Sequence, residues 1–428
     1  MATTERERVT LPAMPPDASL QRAVRKNTAL LATSTAVTSA TLQLVAALAS
    51  TTFVLATGYE GLLGLGPAIF LTSSALAALP AGRLMDRFGR VPGIAIGFAL
   101  GTVGTTITGL SVGAESGLGV VVGFALIGIA TGTVLLARAA AGDMYPPERR
   151  ARGISLVLFG SVFGAILGPA VFGPIFSGRE LTPDALVFPW IAAGGFTLAG
   201  LVLVLFVRPD PKRIGEALFP AAEGVAPAPA APLPELIRRP GVPSALLAAF
   251  SSFGVMVAVM NLTGYAVVHE HGHAQSSVFP IIGAHVFGMF ALVLVIGQIV
   301  DRFGGNVVLV AGLALEGVSA LGLAWAESVW ATAVLLFGLG LGWNLAFVAA
   351  TTALVNRTAV AERGRLIGFS DLSSGLVGAA LALSGGWILQ AYGVGALAVG
   401  ATVVALLPAL FLARSFILPP RRPVGEAA

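Results

Sequence analysis

The sequence predicts an all-α membrane protein of twelve transmembrane helices in two six-helix bundles, with both termini in the cytoplasm. Three observations carry that prediction: an apolar composition, a series of apolar runs of bilayer length, and a pattern that repeats half a chain apart. The 428 residues are 56% hydrophobic and 11% charged, with a mean hydropathy of +0.89. Soluble domains, by contrast, are about a quarter charged.

Taken in order, residues 1–27 are polar and charged and read as a cytoplasmic tail. No small-residue cleavage site follows the first apolar run, so a removed signal peptide is not expected. Apolar runs at 28–54, 61–81, 92–111, 118–141, 153–176 and 187–207 form the first bundle (28–207). Runs at 243–266, 277–299, 306–326, 330–354, 366–390 and 393–415 form the second (243–415). Each is about the 20 residues a helix needs to cross the hydrocarbon layer. Between the bundles, residues 208–242 form a cytoplasmic linker whose "APAPAAPLP" stretch suits an extended connector. Residues 416–428 form a cytoplasmic tail.

The orientation follows from Lys and Arg. With the N-terminus inside, only Arg179 of the 25 basic residues lies outside, only Arg138 lies well within a span, and Arg414 sits at the inner end of the last. The net charge of +4 then reflects loops facing anionic headgroups, so the bilayer and not nucleic acid is the expected partner. Zero cysteines exclude disulfides, thiolate metal sites and thiol catalysis.

The repeat pairs "GRLMDRFGRVPG" (Gly82 to Gly93) with "GQIVDRFGGN" (Gly297 to Asn306), both matching G-x-x-x-D-R-F-G at an offset of 215 residues. The same offset relates Arg150 to Arg365, Gly153 to Gly368 and Gly160 to Gly375, an internal duplication of six spans per half.

A twelve-span chain with this loop after its second span resembles the major facilitator superfamily over essentially its whole length. The resemblance implies two bundles that rock about a central cavity, exposing it alternately to each side. It assigns gating to the loop residues Gly82, Asp86, Arg87, Gly89 and Arg90, with Asp143 as the acid that meets them. Asp301 and Arg302 hold the same places in the second copy, where Gly305 replaces Arg90 and weakens the charge latch. Span five carries "GSVFGAILGPAVFG" (Gly160 to Gly173), similar to the superfamily's antiporter motif. Glycines four apart also make a flat face for close packing, so export and packing both remain open.

All four histidines lie between His269 and His285, and the three methionines inside predicted spans are Met256, Met260 and Met289. "MVAVM" in span seven and "HVFGM" in span eight are both i,i+4 pairs, each on one helix face. Thioether and imidazole together favour a soft monovalent ion such as Cu(I) over hard divalent cations, although methionine is also an ordinary apolar gap-filler. The M-x-x-x-M and H-x-x-x-M pair in consecutive spans, with "GLGWN" and "HEHGH", resembles the CcoA-like transporters, a bacterial branch associated with copper uptake that also includes flavin transporters. That resemblance implies an ion site at Met256, Met260, His285 and Met289, with copper as transported substrate and no resident cofactor. It also implies the bacterial cytoplasmic (inner) membrane, a monomer, and a copper chaperone or oxidase assembly machinery downstream.

His269, His271 and His273 lie in the loop before span eight, placed outside, where they read either as metal capture or as a solvated polar loop. Arg138 and Asp371 are candidates for coupling, and Asn261 and Asn344 for cavity lining; Glu316, mid-span nine, has no assigned role. No nucleophile–base pair, nucleotide loop or hydrolytic metal motif stands out, so an enzyme is not expected. The leading expectation is a secondary active transporter importing copper as Cu(I). The alternatives are an organic-solute carrier, either a drug/proton antiporter or a riboflavin importer, and a non-transporting membrane metal sensor or assembly factor.

Overall fold

A computed structural model describes residues 18–146, 150–219, 231–358 and 360–417. Among them all regular structure is helical. The first half holds α1 (Ala18–Thr57), α2 (Leu65–Phe88), α3 (Arg90–Gly113), α4 (Gly117–Val134), α5 (Ala137–Asp143), α6 (Arg150–Phe176) and α7 (Pro183–Leu205). Two short helices follow, α8 (Pro211–Leu218) and α9 (Leu233–Arg238). The second half holds α10 (Val242–Tyr265), α11 (Val278–Phe290), α12 (Val293–Phe303), α13 (Gly305–Gly322), α14 (Val329–Asn356) and α15 (Val360–Ile417).

Ten helical stretches among the described residues are long and apolar enough to cross a membrane. Twelve crossings result, because two of the predicted spans merge and one is broken. The helical run Val360–Ile417 departs from helical geometry at Gly393, with φ of 78°. A Cβ on Gly385 would stand 3.1 Å from Leu397, whereas twelve residues of straight helix cover about 18 Å. The chain therefore folds back at Gly393, where glycine supplies the positive φ. Span eight divides where Leu292 leaves helical geometry (φ −99°, ψ 6°), so α11 and α12 share one crossing. α4 and α5 likewise share the fourth.

Two expectations are adjusted. Predicted span one begins at residue 28, but α1 begins at Ala18 and carries Arg22, Arg25 and Lys26 on its first turns. Hydropathy marks the hydrocarbon layer, and a helix is free to run beyond it. The linker, expected to be extended, is helical on both flanks: Asp210 caps α8 by accepting from the Lys212 N–H at 2.9 Å, and Pro211 occupies the first turn. The first five residues of "APAPAAPLP", 226–230, lie outside the described residues.

Below, the inner face is the one carrying α8, α9 and most of the basic residues, and the outer face is opposite. Within the first half α3 packs on α4 and α7, and α1 on α6 and α7. Within the second, α14 lies against α10, α11 and α13, and α10 against α15. The halves meet chiefly through three helix pairs, α2 with α15, α6 with α11, and α1 with α10, and α1 also touches α11. The glycine-rich face of α6 lies on α1, where a Cβ on Gly160 would overlap the Ala32 carbonyl and one on Gly168 would stand 2.6 Å from the Gln43 amide.

Candidate substrate site and gates

The outer half of the seam is closed by aromatic and backbone contacts. Phe279, at the start of α11, stacks on Phe176 of α6 with centroids 5.5 Å apart and on Phe172 at 5.9 Å. Gly64, at the outer end of α2, abuts Ala382 and Leu383 of α15, and Gly264 of α10 lies against the Ala47 carbonyl of α1. No residue in this clasp stands out in the sequence, because each ring looks like any other apolar residue until its neighbour is known.

The inner face is held by charge. Arg138 Nη2 lies 3.2 Å from Asp371 Oδ2 across the two halves. Within the first half Arg90 Nε donates to Asp143 Oδ2 at 2.7 Å. Asp210, absent from the sequence reading, accepts from the backbone N–H groups of Arg90 (3.2 Å) and Val91 (2.9 Å), fastening the linker to the start of α3. A Cβ on Gly89, at φ of 103°, would press on this carboxylate at 2.7 Å. The signal for Asp210 was present: "DPK" is an N-cap followed by proline at the first helical position. In both copies of the repeat the arginine lies over the next phenylalanine, Arg87 on Phe88 at 5.2 Å and Arg302 on Phe303 at 5.5 Å. Gly82 has open space around it. The side chains of Asp86 and Asp301 lie outside the described residues.

His285 is fully buried, and its Nδ1 lies 2.8 Å from the Leu336 carbonyl of α14. A carbonyl only accepts, so Nδ1 carries the proton and Nε2 the lone pair. That Nε2 is buried and has no partner among the described residues. Met289, a turn later, shares the contact with α14: a Cβ on Gly340 would stand 3.1 Å from both His285 Nδ1 and the Met289 N. Met256 is buried and Met260 half-buried on α10. α10 and α11 each pack far more on α14 than on one another. No hydrogen bond or ion pair among the described residues joins the pair on α10 to the pair on α11.

The outer histidines point in different directions. The helix of α10 continues through Ala266–Glu270 as a π-turn, which carries His269 onto the Tyr265 ring at 4.1 Å. His273 Nε2 lies 2.6 Å from the Glu327 carbonyl. His271 borders a small apolar cavity with Thr263, Leu323 and Val394. Among the described residues no three His, Asp or Glu side chains form a metal-sized group.

At mid-span α14 presents Trp343, stacked on Phe347 at 4.9 Å and set edge-on to Phe290 of α11 at 6.1 Å. Trp343 Nε1 and the neighbouring Asn344 Nδ2 are buried donors without partners among the described residues. Asn261 donates to the Val257 carbonyl of its own helix at 2.8 Å. Glu316 is fully buried in α13 against Gly342 of α14 and lies beside the Ser252 hydroxyl of α10.

Two helical halves, closed outside by stacked rings and joined inside by an ion pair, define a secondary transporter. The family model of the Major Facilitator Superfamily matches residues 28–286 and 266–428, and the chain belongs to that superfamily. It is 31% identical to the MFS-type transporter YdeG of Bacillus subtilis (strain 168) over 356 residues, 82% of each chain. It is also 31% identical to the riboflavin transporter RfnT of Brucella anthropi over 317 residues, 71% of this chain and 74% of that one. Among solved structures, the xylose transporter XylE from E. coli, in a partially occluded inward open conformation, superposes with a TM-score of 0.68 at 14% identity. That match covers 91% of this chain and 99% of that one, and shows the shared fold. The chain is thus a multi-pass membrane transporter and not an enzyme.

Proposed function

We propose that the chain carries an organic solute with a planar aromatic core, riboflavin or a molecule of its kind, across the bacterial inner membrane by alternating access. The observation that carries this reading is the buried platform on α14. Trp343 and Phe347 offer stacked rings, and Trp343 Nε1 and Asn344 Nδ2 offer two free N–H donors beside them. Such a surface suits a flat heterocycle edged with carbonyl acceptors. Similarity to a riboflavin transporter over most of the chain supports the same solute class. Alternating access then requires the Phe279 clasp to open when the inner face closes, and the reverse.

Copper is a second reading, favoured by one observation: His285 keeps a bare, buried Nε2 lone pair, fixed by the Leu336 carbonyl, on a helix face shared with Met289. A second-layer hydrogen bond of this kind is what orients a metal-ligating imidazole. The two readings part on mutation. Trp343→Ala with Asn344→Ala is expected to lower saturable riboflavin uptake at least tenfold at equal membrane abundance, while Met260→Ala leaves it intact. Riboflavin uptake indifferent to the α14 pair would remove the platform from the account.

A further inference from the structure

Two glutamines on the seam share one arrangement. Gln43 of α1 donates its amide NH2 to the Gly164 carbonyl of α6. Gln275, in the turn before α11, donates its own to the Ala47 carbonyl of α1 at 3.4 Å. Because a carbonyl oxygen only accepts, both amides are fixed, with NH2 on the backbone and Oε1 directed elsewhere. Both Oε1 atoms are buried and without a partner among the described residues. The Gln43 Oε1 lies at the junction with α11, since a Cβ on Gly283 would stand 3.5 Å from it.

Ser50 and Thr51 follow Gln43 by seven and eight positions, which places them on the same helix face as Gln43 and Ala47. Their hydroxyl oxygens are likewise buried and without partners among the described residues. Natural interiors leave few polar atoms unpaired, so four along one stretch of seam require an explanation. From Thr28 to Thr57 helix α1 carries no charged residue. The stretch is therefore neutral and rich in acceptor oxygens.

We propose that Gln43, Ser50, Thr51 and Gln275 form a subsite that binds the hydroxyl or N–H donors of an uncharged, donor-rich solute arriving from the outer side. The inference rests on the organic-solute reading and adds which part of the solute is gripped: the hydroxylated part, with the planar core left to α14. The Gln275–Ala47 hydrogen bond crosses from one half to the other. Parting the halves on the outer side breaks it and presents all four oxygens to the solute. Amide and hydroxyl oxygens are hard donors and do not match a soft metal ion.

The test uses purified protein in liposomes, with riboflavin and with lumiflavin, the same ring system lacking the hydroxylated chain. Gln43→Leu and Gln275→Leu are each expected to raise the riboflavin KM about five- to tenfold, the worth of one hydrogen bond. The inhibition constant of lumiflavin should stay within about twofold, since that probe lacks the gripped donors. Gln275 lies in a turn, so its variant serves if Gln43→Leu does not reach the membrane. If riboflavin and lumiflavin shift equally, or neither shifts, the subsite is wrong while the carrier reading stands. If the wild-type protein moves no flavin, the carrier reading falls and the subsite falls with it.

Discussion

Arg138, late in the fourth crossing, and Asp371, early in the eleventh, meet across the two halves with Nη2 3.2 Å from Oδ2. Their side chains stay 30% and 39% exposed, and pairs so placed contribute about 1 kcal/mol or less. As a latch alone, the pair biases the inner face toward closure by roughly fivefold. Ionisable groups within membrane spans generally serve transport. Asp371→Asn is therefore expected to slow uptake more than tenfold, beyond the loss of a latch. The exchanged pair, Arg138→Asp with Asp371→Arg, should restore the contact but not the rate. Full recovery by the exchange would assign the pair to latching alone.

At the outer face, Phe279 stacked on Phe172 and Phe176 supplies two aromatic pairs. Together they are worth about 1–3 kcal/mol beyond burial, a bias of about five- to 150-fold between states. Phe279→Ala should open the outer face more often. The chain has no cysteine, so Ser50→Cys provides a single reporter on the seam. Labelling of that thiol by a membrane-impermeant maleimide should accelerate in the Phe279→Ala background, and an unchanged rate would mean the stacked rings are not the outer closure.

The α6 glycines separate packing from helix propensity. At Gly160 a Cβ would overlap the Ala32 carbonyl, whereas at Gly173 nothing lies within 4 Å. Gly160→Ala should destabilise by about 1–3 kcal/mol through overpacking, while Gly173→Ala should gain up to about 1 kcal/mol of helix propensity. Thermal unfolding in detergent reads both. Equal shifts would show that the glycine face of α6 is not a packing surface.

Much of the fold was legible because hydropathy and basic residues report directly on the bilayer, and the repeated D-R-F-G loop reports the two halves. The turn at Gly393 coincides with the first residue of the predicted twelfth span for the same reason. The site was legible only in its local part. The i,i+4 spacing of His285 and Met289 places both on one face of α11, but spacing does not say which helix that face meets. In the structure it is α14, through the Leu336 carbonyl. Helix α10, which carries Met256 and Met260, has α15 and α14 as its main neighbours, while Met256 shares one apolar core with Met289 and Met260 packs against it. Phe279, Gln43 and Gln275 were invisible for a related reason, since each acquires its role from residues more than a hundred positions away. Asp210 differs: its capping signal is local and present in the sequence, although the sequence reading passed over it.

The central claim, an organic-solute carrier of this superfamily, is tested most directly by purified protein in liposomes loaded with unlabelled riboflavin and offered radiolabelled riboflavin or radiolabelled copper in parallel. The account predicts saturable riboflavin exchange that excess unlabelled riboflavin abolishes, that Trp343→Ala with Asn344→Ala removes, and that His285→Ala with Met260→Ala leaves in place. Copper accumulation that depends on His285 and Met260, with no riboflavin exchange, would contradict it.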